Sequence, residues 1–160
     1  WVPMVPAAAA EAAATSDVRV GAVVGDAEGA VRGIGHNVRE AVHDPTGHAE
    51  VVALRAAAAD LGRWRLDGTV LVVTLEPCVM CTGAAVAARV DGIVFGAWDD
   101  KAGACGSVWD LARDRASLHR PEVTGGILAD ECARLLTDFF ADQREGVRGE
   151  EQGDGAGGRA

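Results

Sequence analysis

The amino-acid sequence predicts a three-layer α/β domain in which helices cover both faces of a sheet that opens with a hairpin. Three observations lead there. Strand-like and helix-like patterns alternate along most of the chain. Several apolar, β-branched runs are too short for helices and have the composition of strands buried on both faces. The first two Val/Ile runs flank a Gly/Asp cluster, the signature of a hairpin.

Taken in order, Pro3 and Pro6 interrupt the start, so a first helix begins only near Pro6. "VRVGAVVGDAEGAVRGIGH" supplies two strands around an Asp26–Gly29 turn. "GHAEVVALRAAAADLG" is rich in helix formers and stops at Gly62. "GTVLVVTL" reads as a buried strand, and "EPCVMCTGAAVAARV" as a helix with Pro77 near its first turn, where a missing N–H costs little. "GIVFGA" and "EVTGGIL" follow as further short strands, and "ADECARLLTDFFADQRE" closes as an amphipathic helix. The expected division is one domain over 1–145 and a disordered tail over 146–160, where glycine and charge replace apolar periodicity.

At 160 residues the chain buries a core without disulfide support, and four cysteines do not make a secreted scaffold. No apolar stretch approaches the roughly 20 residues that span a bilayer. The alanine-rich start has no basic segment before it and no long aliphatic run, so the expectation is no signal peptide, no membrane and a cytoplasmic protein. A formal charge of −9 argues against broad adhesion to nucleic acid, which rests on neutralising phosphates, and leaves room only for a local basic patch. The single lysine, Lys101, stands out for that reason.

Cys78 and Cys81 form a C-x-x-C pair after an apolar run and a proline. One turn apart at a helix start, both sulfurs reach one ion, and the helix N-terminus favours their thiolates. A closed structural zinc site needs four ligands, and neither a second C-x-x-C nor a C-x-x-H is present. Cys105 and Cys132 are isolated, Cys132 on the apolar side of the last helix. A redox pair lacks its usual context and leaves "DPTGHAEVVAL" unexplained. There His48 and Glu50 sit where a loop enters a helix, the same placement as the cysteines. His48, Cys78 and Cys81 make three ligands, the pattern of a catalytic zinc with a water in the fourth place. Glu50 is then free to act on that water, whose pKa the metal lowers towards about 7. H-x-E followed by P-C-x-x-C after a strand is the signature of zinc deaminases.

With "VGAVV", "GHNVREAVHDPTGHAE", "TLEPCVMCTGA", "VFGAWDDKAGACGS" and "VTGGILADECARLLTDFF" in place, the chain resembles the bacterial tRNA adenosine deaminases of the cytidine deaminase-like superfamily from about Val18 to Phe140. The resemblance implies a three-layer α/β/α sandwich with a five-stranded mixed sheet, one zinc per chain and a homodimer. It implies hydrolytic conversion of adenosine to inosine at wobble position 34 of an arginine tRNA, with the anticodon stem-loop as partner. It further implies metal ligands His48, Cys78 and Cys81, catalytic Glu50, and substrate-binding positions Asn37, Ala49, Asp99 and Lys101. Asn37 would bond the flipped base, and Asp99 and Lys101 would lie beside the anticodon loop, Lys101 meeting phosphate. Arg19 replaces the family's usual proline, Leu118 its common asparagine, and the last helix lacks the usual basic run. Two rivals are a deaminase of free nucleobases or nucleosides, of guanine or cytosine type, and a non-enzymatic metal-bearing subunit, for which Glu50 would not be needed.

Overall fold

In a computed structural model, which describes residues 2–12 and 16–153 (2 and 143–153 in backbone alone), five strands form one sheet in the order β2-β1-β3-β4-β5. Strand β1 (Gly21–Asp26) and β2 (Val31–His36) are the predicted hairpin, turning through Gly29 at φ +89°, a conformation that glycine adopts without a Cβ penalty. Strand β1 also pairs antiparallel with β3 (Thr69–Leu75), with Ala22 opposite Val73. Strands β3, β4 (Gly92–Ala97) and β5 (Glu122–Thr124) are mutually parallel, so the sheet is mixed.

Alternate residues of each strand point to opposite faces. Ala22, Val24, Leu71, Val73, Ile93 and Phe95 enter the larger core, beneath α3 (Ala49–Leu61), which follows the one-turn α2 (Arg39–Val42), and α4 (Val79–Ala88). Val23 and Val72 face the other way, onto Val5 of α1 (Val5–Glu11). The long α5 (Ala129–Gly153) packs on β3 and β4 and touches α1, completing the second helical layer. Burial on both faces explains why these strands read as continuous apolar runs rather than alternating ones.

Two close approaches set the layer spacing. A Cβ on Gly35 would lie 2.6 Å from Ala53 N, and one on Gly33 2.7 Å from Ala57 N, so α3 rests directly on the backbone of β2. Helix α3 ends where Gly62 takes the left-handed conformation at φ +63°, as its sequence signal predicts.

Three boundaries differ from the sequence expectation. Helix α4 begins at Val79 with Cys78 as its N-cap, so Pro77 precedes the helix rather than occupying its first turn. Its carbonyl accepts from Ala104 N and Thr82 Oγ1, which makes it part of the strand-to-helix turn. Strand β5 is only three residues long, because Gly125 packs its backbone against Phe95 and Trp98 and Gly126 follows at φ +84°. The last helix continues through the expected start of the tail to Gly153, and residues 154–160 lie outside the described residues. Among the described residues, no helix is long and apolar enough to cross a membrane.

Candidate metal centre and substrate cavity

The topology brings one edge of the sheet into use. Strands β3 and β4 are parallel and β1 runs against them, so the carboxyl ends of β3 and β4, the entry to β1 and the exit of β2 lie together. Ligands in α/β sheets bind outside the carboxyl ends of strands. A cavity of about 180 Å³ opens at this edge, lined among others by Val20, Asn37, Leu75 and Glu76.

His48 and Cys78 occupy equivalent positions, each the extended N-cap residue of its helix, and neither side chain caps it. Both side chains are thereby left to the cavity, with Cys81 one turn into α4 and fully buried. The ligand atoms of His48, Cys78 and Cys81 lie within 4.8 Å of one another. His48 Nδ1 faces both sulfurs, at 3.8 Å from Cys78 Sγ and 3.5 Å from Cys81 Sγ. An imidazole and two thiols suit zinc, and three protein donors with no fourth among the described residues make an open rather than closed centre. The hydrogen bond with Cys81, helped by that with His48, brings the Cys78 thiol down to about 4, and the same bond pushes Cys81 up. One sulfur is therefore readily a thiolate, the form that binds metal.

Glu50, in the first turn of α3, is 4% exposed and lines the same cavity. Burial pushes its carboxyl up to about 7, so near neutrality it is poised both to take and to give a proton. Asn37 leaves β2 into the cavity wall, and its Oδ1 accepts from Ala49 N at 2.9 Å. That bond turns the amide NH2 of Asn37 into the group left for a ligand. Ala49 is itself fully buried and does not line the cavity; it orients Asn37. Asp99 lines the far wall, but its Oδ1 already accepts from Lys101 N (2.9 Å) and Ala102 N (3.2 Å), closing a tight turn. The turn holds Lys101 on the exposed rim.

Two cavity residues carry roles that the sequence reading did not give them. The hydrogen bond with Cys78 raises the pKa of the His48 imidazole, and Arg39, at the mouth with no ion-pair partner among the described residues, is a smaller influence the other way. Glu76 forms part of the wall beside Cys78. The available signal for Glu76 was an acid directly between a buried strand and Pro-Cys; for Arg39 it was a cation two residues past Asn37.

A mixed five-stranded sheet with an open His/Cys/Cys centre and a buried glutamate at its edge defines a zinc-dependent deaminase domain. The chain belongs to the family of the cytidine and deoxycytidylate deaminase zinc-binding region, which matches residues 1–97. It is 44% identical over 135 residues to a tRNA-specific adenosine deaminase of Haemophilus influenzae, covering 84% of this chain and 78% of that protein. A solved structure from studies of A-to-I editing by tRNA:A34 deaminases superposes with a TM-score of 0.80 at 35% identity, covering 84% of this chain and 96% of that one. A tRNA(Ile)-lysidine synthase of Deinococcus deserti is 52% identical over 137 residues; these are 86% of this chain but only 26% of that longer protein.

Proposed function

We propose that the protein is a tRNA adenosine deaminase that converts adenosine to inosine at the wobble position of an arginine tRNA, acting in the cytoplasm as a homodimer. The observation that carries this reading is the single cavity shared by His48, Cys78, Glu50, Asn37 and Asp99. The likeness to a tRNA-specific adenosine deaminase over most of both chains supports a tRNA adenosine as the target.

His48, Cys78 and Cys81 would hold one zinc, which supplies Lewis acidity and makes a water acidic enough to react near neutral pH. The buried carboxylate of Glu50 takes the proton of the attacking water and hands it to N1 of the adenine as oxygen adds at C6. Glu50 then takes the remaining proton from the new C6 hydroxyl and gives it to the amino nitrogen, the C6–N bond breaks as the C6=O bond forms, and ammonia leaves. Asn37, fixed through Ala49, offers its amide NH2 to the base. Arg39 and Lys101 are the cations at hand for the phosphates on either side of the flipped nucleotide.

The decisive experiment is deamination of an arginine-tRNA anticodon stem-loop compared with free adenosine, guanine and cytosine. The expected result is turnover of the stem-loop alone. Efficient turnover of a free base with the stem-loop ignored would overturn the tRNA assignment while leaving the zinc chemistry in place.

A further inference from the structure

The deamination chemistry has no use for Glu76, yet this carboxylate is 2% exposed in the cavity wall. A buried carboxylate is tolerated where its lone pairs are met. They are met here by one loop: the N–H groups of Cys105 (2.9 Å) and Ser107 (3.1 Å) donate to Oε1, and that of Asp99 (3.1 Å) donates to Oε2. The same loop is tied to the cysteine turn, where Cys78 pairs with Gly103 and Ala104 N donates to Pro77 O at 2.8 Å. Glycine at 103 makes room for this, since a Cβ there would overlap the Glu76 carboxylate and the Ser107 hydroxyl. Ser107 Oγ in turn donates to Asp99 O at 2.8 Å, locking the two ends of the loop together.

We infer that Glu76 is a positioning residue: its two oxygens fix the loop 99–107 against the metal-ligand turn and so set where Asp99 and Lys101 meet the substrate strand. The placement of the loop follows from these contacts; its bearing on substrate rests on the tRNA reading above. A carboxylate is required because both ends of the group face donors. A glutamine keeps the shape but turns an NH2 towards an N–H at one of them.

The test compares wild type, Glu76→Gln and Gly103→Ala, the second variant displacing the same carboxylate from the loop side. Zinc content, amide hydrogen exchange, and KM and kcat on the stem-loop are measured for each. Both variants are expected to keep one zinc per chain and to exchange the Asp99, Cys105 and Ser107 amides faster. KM should rise roughly tenfold, the effect of about one lost hydrogen bond to a charged group, with a smaller fall in kcat. Unchanged exchange at those amides overturns the inference. So does a fall in kcat at constant KM, or a loss of zinc, which would make Glu76 a support of the metal centre. If the wild type ignores the stem-loop, the substrate reading falls, and the exchange data still decide whether Glu76 holds the loop.

Discussion

His48 and Glu50 are two residues apart and share one cavity, yet their tasks separate because only His48 faces the two sulfurs. Replacing Glu50 by alanine should therefore leave about one zinc per chain and lower turnover by roughly 10² to 10⁴, the usual range for a lost proton shuttle. Metal analysis beside single-turnover kinetics checks this, and loss of zinc in the variant would mean that Glu50 coordinates. Cys78→Ser and Cys81→Ser should each lose the metal and the activity together. Tight zinc retention in the double variant would remove the cysteines from the ligand set. The sequence pattern reached these residues because helix starts carry chemistry at short, fixed spacings. It passed over Arg39 and Glu76 because their significance lies in what the fold sets beside them. The carboxylate of Glu76 meets residues 23, 29 and 31 positions away, and no local period records that.

At the scale of elements, the position of α3 decides where His48 and Glu50 stand, and the glycine face of β2 decides the position of α3. Gly35→Ala would press a methyl group into the α3 backbone at Ala53. A destabilisation of about 1–3 kcal/mol is expected, as for other overpacked contacts. Because Ala49 O is also among the atoms met, the N-terminal turn of α3 should shift and zinc affinity should fall as well. Thermal unfolding with a zinc titration measures both; an unchanged affinity would uncouple the helix seat from the metal centre. The strands were legible because burial on both faces demands apolar, β-branched runs, and the end of α3 because glycine at 62 takes the left-handed cap without a Cβ penalty. The shortness of β5 was not legible, since it depends on Gly125 meeting Phe95 and Trp98 across the fold.

For the whole molecule, a charge of −9 must be reconciled with the anionic partner that the tRNA reading proposes. On that proposal such a protein would hold an RNA loop only through a few local cations, for which Arg39 and Lys101 are the candidates. Lys101→Ala should weaken stem-loop binding and lower the slope of log affinity against log salt by about one, with little change in saturated turnover. Binding isotherms over a salt series test this, and an unaltered slope would place the lysine away from phosphate. The metal centre has a consequence on the same scale. His48 lies 30 and 33 residues from its two cysteine partners, and α3 and β3 fall between them, so the ion staples a long stretch of the domain. Any ion that binds only the folded chain adds about 1.4 kcal/mol for each tenfold excess over its dissociation constant. The lifetime of this protein in a cell would then track free zinc, and scarcity of the ion would thin its population through proteolysis as well as silence the molecules that survive.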